Sequence, residues 1–489
     1  MSVFIFIFLF ILFSFLILKF GVRSDLTIKN IFIGWLIKIG FGALYIFVFT
    51  HYYGNGFLYG DTSRFMVDSK ILAQLASDYP LEYLKLLFGF GNENSDIIWP
   101  YINNTQIWMY GDNGDFINDN RLILRLNSVI HLISNGNIYV HALVHVFLSF
   151  IGINLIYNAI KDFVKLKYVF WYALILLPSL SFWGGAVLKE SILIFSIGLL
   201  LHALKNISIK ITLTHILVLL IAIGLLLFNK PYVGLIIIPM SLFWFFGQLV
   251  KWKIKFIYVS VIFIMIVFTA LLFAPSKINL TEKVSYKQKD LINMGRGGVF
   301  FITDSSFCSF KYQYHQNFEM VSDSLIKVLQ PTNGEYKLFG EYVYHPFQIE
   351  ASDKQYAHYL TQIPSNSFYE TTHIENSSLQ LIKNIPSALW NVIVRPYPWD
   401  NGNKLKYFAF AQNILLILLL FYTIFNRKIL KAKEKWILFI LISSSLFISL
   451  LIGWTTPIFG AAVRYKVPVD LFIVIISFIL LKSKTHEKA

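Results

Sequence analysis

A chain of 489 residues that is 56% hydrophobic and only 14% charged, with a mean hydropathy of +0.61, lies outside the range of water-soluble globular proteins. The formal net charge is +15; in a membrane protein such an excess records basic residues kept on the cytoplasmic face, so nucleic acid is not read as a partner. Cys308 is the sole cysteine, which excludes an intrachain disulfide and a cysteine-based metal cluster.

A bilayer core of about 30 Å asks for roughly 20 apolar residues in helix. Runs of suitable character occupy residues 3–20, 31–50, 138–160, 168–183, 192–204, 211–228, 233–249, 256–273, 407–425, 436–454 and 467–481, about eleven spans by this criterion. The first lacks a basic leader and a small-residue cleavage site, and is read as a retained membrane segment. When the loops alternate sides, one side collects eighteen Lys and Arg, from Arg23 and Lys29 through Lys161, Lys205, Lys251, Arg427 and Lys482, against Asp25, Asp162, Glu434 and Glu487. That side is the cytoplasm, and the protein is placed in the cytoplasmic (inner) membrane. The N-terminus and both long polar loops then lie outside. The expected fold is an all-α polytopic membrane protein: helices 1 and 2 in residues 1–50, an extracytoplasmic loop over 51–137, helices 3 to 8 in 138–274, an extracytoplasmic α+β cap over 275–406, and helices 9 to 11 with the tail in 407–489.

Just after the second span the chain reads YGDTSRFMVDSK. Helical spacing places Asp61, Arg64 and Asp68 along one side of an interfacial helix over 61–76, with Asp61 or Thr62 as its cap. A second such helix covers 121–134, with Arg121 and Arg125 on one face. Between them, Asp112, Asp115 and Asp119 in GDNGDFINDN fit no EF-hand spacing and read as a hydrated loop. His141 and His145 lack an evident third ligand and read as packed. Lys38, near the cytoplasmic end of its span, is expected to snorkel. Trp99, Trp108 and Trp399 suit either stacking on sugar rings or interface anchoring.

Further along, WGGAVLKE places Lys189 and Glu190 at the mouth of a span, where an ionisable pair is costly unless it snorkels or serves a site. Asn229-Lys230-Pro231 reads as a plain turn. MGRGGVF, from Met294, is a glycine-rich turn. Outside cations run against the positive-inside tendency, and VRPYPWD and GAAVRYKVP each present one: Arg395, then Arg464 with Tyr465 and Lys466. A guanidinium near the bilayer surface can hold a phosphate through two parallel hydrogen bonds. No Walker A, GxSxG or HExxH sequence is present.

Carboxylates on an interfacial helix together with outward cations suit an enzyme whose donor is a sugar on a lipid phosphate. The layout resembles the membrane-embedded GT-C glycosyltransferases, in which an aspartate of an early outer loop is the base; GDTSRF at 60–65 matches that position, and Arg464, Tyr465 and Pro468 match a sequence that opens a late span. The resemblance implies Asp61 as base, with Asp68 as its substitute because Thr62 replaces the usual second acidic residue. The residues themselves are read as Arg464 and Lys189 holding the donor phosphate with Arg395 in support, Arg64 and Asp68 shaping the site, and Glu190, Tyr465 and Lys466 as further substrate contacts; the resemblance implies inversion at the anomeric carbon. The partners implied are a polyprenyl-phosphate sugar, membrane lipids, and a glycan, lipid or protein acceptor of the cell envelope. No cofactor is assigned, and a divalent cation is left as an option. The same features resemble envelope polysaccharide polymerases and ligases, and a lipid-linked glycan flippase is the alternative of another class; a flippase calls for charges within the bilayer and broken helices.

Overall fold

A computed structural model describes residues 2–20, 26–108, 118–249, 279–322, 325–339, 341, 343–375 and 377–482. The expected span at 256–273, the lysines at 251, 253 and 255, and Asp112 and Asp115 lie outside them. The chain divides into two units, the first comprising Met1–Ile254, Leu418–Ser445 and Val467–Ala489, the second Lys255–Ile417 and Leu446–Lys466.

The first unit opens with α1 (Ser2–Phe20) and α2 (Ile28–Phe47), the latter capped by Thr27, whose hydroxyl accepts from Asn30 N. A π turn, Val48–Tyr52, ends it. Then come α3 (Asp61–Asp78), α4 (Pro80–Phe88), α5 (Trp99–Ile102) and α6 (Arg121–Ser134). Phe65, Leu72 and Leu75 of α3 bury against Ile123 and Leu124 of α6 in one apolar cluster, so α3 is a packed element whose inner face never meets lipid. By contrast α6 leaves Val129, Leu132 and Ile133 exposed, the apolar stripe of a helix lying at an interface.

Next, α7 (Ile138–Ile160) starts where the Asn137 side chain accepts from Tyr139 N and Val140 N. It packs along α10 (Lys189–Ile209), and only glycines allow their separation: a Cβ on Gly152 would lie 2.6 Å from the Ile194 carbonyl oxygen, and one on Gly198 2.5 Å from that of Gly152. The same two helices are joined at one end by His145 and Ser191. At the other, Lys205 bonds both the Asn158 carbonyl and Asp162.

Between them the expected single span at 168–183 is two helices, α8 (Lys167–Leu176) and α9 (Pro178–Phe182), bent by 59°. Pro178 supplies no N–H and cannot continue α8, but it suits the first turn of α9. Near the break the Ser181 hydroxyl donates to Ile175 O, and Lys38 Nζ donates to Leu180 O of α9 at 2.9 Å. Lys38 is fully buried. Its expected escape to the membrane surface is thus overturned by a carbonyl acceptor within the helical layer. Two further helices, α11 (Leu213–Asn229) and α12 (Pro231–Leu249), follow.

The second unit begins with α13 (Leu280–Arg296), capped by Asn279. Seven antiparallel strands follow: β1 (Gly298–Ile302), β2 (Ser306–Lys311), β3 (Phe318–Ser322), β4 (Leu325–Val328), β5 (Thr332–Leu338), β6 (His345–Ile349) and β7 (Ser352–Gln362), in the order β3-β4-β7-β1-β2-β5-β6. Phe301, Phe310 and Phe318, with Val299, Cys308, Ile326 and Val328, form the core on one face; Phe301 and Phe310 stack at 5.2 Å. The second long polar segment, expected to mix helices and strands, carries this sheet, with α14 (Ser378–Lys383) and α15 (Ile385–Ile393) after it, so the chain as a whole is not all-α.

Finally come α16 (Lys406–Phe425), α17 (Ala432–Thr455), α18 (Phe459–Tyr465) and α19 (Val467–Leu480). Among the described residues six helices (α1, α2, α7, α10, α16 and α17) are long and apolar enough to cross a membrane, seven if α8 and α9 make one span, and α11, α12 and α19 are shorter apolar helices. This is a multi-pass membrane protein. Loops that the alternation of sides assigned to one face do converge: Asp162, Lys165, Arg427, Lys428, Lys431, Glu434 and Lys482 line one open cleft of the first unit.

Candidate functional site

Asp61 is the first residue of α3, and Gly60, at φ +78°, is the residue that caps it. An L side chain is strained at that φ, so glycine frees the turn that aims Asp61. The turn is fastened on both sides. Tyr59 N donates to Phe49 O at 3.1 Å, and Thr62 meets the Tyr45 hydroxyl at 2.9 Å and donates to Val187 O at 3.3 Å. The last contact ties the start of α3 to the extended segment that leads into Lys189.

Around Lys189 the charges gather. Its ammonium pairs with Asp119 at 2.6 Å, and it also feels the Asp61 carboxylate and the Lys230 ammonium. The Asn229 amide donates to the Lys189 carbonyl at 2.8 Å, which draws the α11–α12 turn onto the first turn of α10. One residue on in each case, Lys230 and Glu190 form an ion pair at 2.7 Å, with side chains only 3% and 2% exposed. Lys230 is therefore no plain turn residue. Nor is Asp119 merely part of a hydrated loop. Breaking such a buried pair from one side costs about 3–5 kcal/mol, because the survivor keeps an uncompensated charge. Lys189 and Lys230 lie 41 positions apart, and the spacing of the sequence gives no sign that they meet.

The expected stripe of Asp61, Arg64 and Asp68 does not share one space. Arg64 is exposed, whereas Asp68 is fully buried and accepts from Gln106 N at 2.9 Å and Ile107 N at 2.8 Å. Burial pushes the Asp68 carboxyl above its ordinary range, while the N–H groups of Gln106, Ile107 and Trp108 and the Arg64 guanidinium draw it down. Asp68 holds the 105–108 segment, a role that explains its position without any acid–base chemistry. Trp108 is fully buried beneath the Arg121 and Arg125 guanidiniums, 5.1 and 5.3 Å from its ring, so it offers no sugar platform. Arg121 also grips Glu93 through two nitrogens at 2.8 and 3.0 Å.

His141 and His145 both reach Asn127 Oδ1, at 2.7 and 3.3 Å, and bond Ser134 and Ser191 respectively. They form a packed network that fixes α6 against α7 and α10. Among the described residues no three His, Cys, Asp or Glu are arranged to hold a metal ion.

In the second unit the segments carrying Arg395 and Arg464 come together. Lys466, 2% exposed, donates from Nζ to Val392 O at 3.2 Å and to Asn413 Oδ1. Asn413 in turn donates to the carbonyls of Arg395 and Val394 at 2.8 and 3.3 Å. Lys466, expected to touch substrate, thus holds the backbone beneath Arg395. The Arg395 guanidinium lies 5.1 to 5.8 Å from the rings of Tyr369, Tyr397 and Phe459, and 3.8 Å from Asp400. Burial pushes the Tyr369 hydroxyl up to about 12, so it stays protonated and donates to Thr456 O at 3.0 Å. Arg464 lies 5.3 Å from the ring of Tyr465.

No family model, curated protein or solved structure matches this chain.

Proposed function

We propose that the protein is a GT-C-type glycosyltransferase of about eleven spans that moves a sugar from a polyprenyl-phosphate donor to an acceptor on the extracytoplasmic face of the cytoplasmic membrane. In this reading Asp61 takes the proton of the acceptor hydroxyl, whose oxygen attacks the anomeric carbon opposite the phosphate and inverts it. Lys189 and Lys230 stabilise the departing phosphate, with Glu190 holding Lys230 in place. Arg64 lies on the exposed side of the same helix. Arg395 and Arg464 are the anion-holding side chains of the second unit, with Tyr465 stacked under Arg464.

The observation that carries the reading is the meeting of Asp61, Asp119, Lys189, Glu190 and Lys230 where α3, α10 and the α11–α12 turn converge. A carboxylate within electrostatic reach of the Lys189 ammonium, which also feels Lys230, suits proton removal next to a lipid phosphate.

Asp61→Asn should lower transfer by about 10²–10⁴-fold, the usual worth of a general base, with the melting temperature unchanged; near-normal turnover of the purified variant removes Asp61 from the mechanism. A cysteine at Ser63 in a Cys308→Ser background should label from outside the cell. Turnover of a polyprenyl-phosphate monosaccharide supports the transferase, whereas dependence on a pyrophosphate-linked oligosaccharide supports a polymerase or ligase.

A flippase is the second reading, favoured by one observation: the α8–α9 break beside fully buried Lys38, since broken helices and buried charges mark transport pathways. Movement of a fluorescent lipid-linked glycan across vesicles without any bond cleaved would select it.

A further inference from the structure

Within the second unit an open cleft of about 580 Å³ lies between the end of α13, the segment after β7 and the loop before α16, lined by Arg296, Ser365, Asn366, Phe368, Asn401 and Asn403 among others. Its walls are fixed. Ser365 N donates to Gly295 O at 2.9 Å, and a Cβ on Gly295 would stand 2.4 Å from the Phe368 ring, so only glycine lets the helix pass over it. Beneath, Tyr369 N donates to Pro457 O and Phe459 N to Ser367 O, which holds the Phe368 segment against the 457–459 stretch.

The lining chemistry is selective. Arg296 is paired with Glu370 at 2.8 Å, and the guanidinium also lies 5.9 Å from the Phe368 ring. Among the described lining residues the one cation is thereby matched by the one carboxylate, which favours neither a phosphate nor a metal ion. What remains is three carboxamides, from Asn366, Asn401 and Asn403, each both donor and acceptor, together with an aromatic ring. Two residues before Asn401, Trp399 stacks on Tyr397 at 5.0 Å with 77% of its surface exposed. Carboxamides that give and take hydrogen bonds beside flat aromatic faces suit a ligand that is uncharged, rich in hydroxyls and apolar on its ring faces. A peptide would instead seek an unpaired strand edge, and the sheet's edges are β3 and β6, neither of which lines the cleft.

We infer that this cleft binds a neutral oligosaccharide, separately from the charge cluster of the first unit. Its assignment as the seat of the growing acceptor glycan rests on the glycosyl-transfer reading; the binding itself does not.

The test uses the full-length protein in nanodiscs carrying Asp61→Asn, titrated with maltohexaose, cellohexaose and chitohexaose and read by tryptophan fluorescence and calorimetry. Saturable binding of at least one, weakened about tenfold or more by Asn401→Ala with Asn403→Ala, supports the cleft, because each lost hydrogen bond removes a several-fold factor. An unchanged melting temperature establishes that the double variant is folded. No saturable binding at millimolar sugar, binding indifferent to the double variant, or preference for an uncharged hexapeptide overturns it. Because Asp61 is already removed, a failed catalytic assignment and a failed cleft give different results: the first is turnover by Asp61→Asn, the second the loss of sugar binding.

Discussion

The two units handle their partly buried cations in opposite ways. In the first, Lys189 and Lys230 each meet a carboxylate at 2.6 and 2.7 Å, and the Glu190–Lys230 pair is almost wholly removed from solvent. In the second, the Arg395 guanidinium is flanked by three aromatic rings, with its carboxylate at the longer distance of 3.8 Å. The contrast teaches that one cluster is built from mutual charge compensation, where removing a member unbalances its neighbour. The other is built from ring faces and backbone, where a planar cation keeps its orientation while its charge is less fully matched.

The sharpest way to break this comparison is Glu190→Ala. It strands the Lys230 ammonium and should cost about 3–5 kcal/mol, read as a large fall in melting temperature in detergent; Glu190→Gln with Lys230→Met should recover much of it, and a mild single-variant effect would show that the pair is not truly desolvated. Asp68→Ala comes next. It leaves the Gln106 and Ile107 N–H groups without their acceptor and should cost about 1–3 kcal/mol, seen as faster proteolysis near residue 106. A smaller effect is expected from Arg395→Lys, which keeps the charge but loses the planar stacking, worth about 0.5–1 kcal/mol per aromatic contact. Its signature is a modest fall in melting temperature in detergent, and an unchanged value would show that the rings do not hold Arg395.

The smallest effect is a pH slope. Burial holds His131 below its ordinary value, Lys70 pushes the same way, and the Met66 carbonyl opposes; His141 faces its ring at 4.4 Å. A depressed histidine means that the unfolded chain binds the extra proton, so stability is full above the ordinary pKa near 6.5 and declines as pH falls below it. His373 in the second unit shifts the same way, again chiefly through burial, with the Lys289 and Arg296 charges adding and Glu335 and Glu375 opposing. Replacing each with Gln in turn and following the melting temperature from pH 7.5 to pH 5.5 apportions the slope between the two units, and a profile unchanged in both variants would refute it.

Much of the helical layer is legible because apolar runs and caps agree. Residues 138–160 read as one span, and Asn137 caps it where the run begins. The break at Pro178 escapes a hydropathy reading, since every residue from Phe170 to Leu177 is apolar and only the missing N–H interrupts the ladder. Lys38 was assigned to the surface from its distance to a helix end, but depth depends on what packs outside, and here α9 supplies both cover and a carbonyl. Strands are expected in the 275–406 segment, but not which residues form the centre of the sheet. β1 reads GVFFI with both faces covered, so it lacks the alternation that marks a half-buried strand. As for the site, the partners of Lys189 and Lys230 are set by where α3 and the α11–α12 turn pack, which one sequence does not encode locally.

The seam between α7 and α10 carries a mechanical consequence. It is pinned at three depths, by His145 and Ser191 near one end, by Gly152 and Gly198 midway, and by Asn158, Asp162 and Lys205 near the other. Neither helix can slide, roll or part from its neighbour without tearing all three, so the pair acts as a single strut through the bilayer. Any rearrangement of the neighbouring helices must therefore leave this strut intact and move about it, with the Lys189 end held in place.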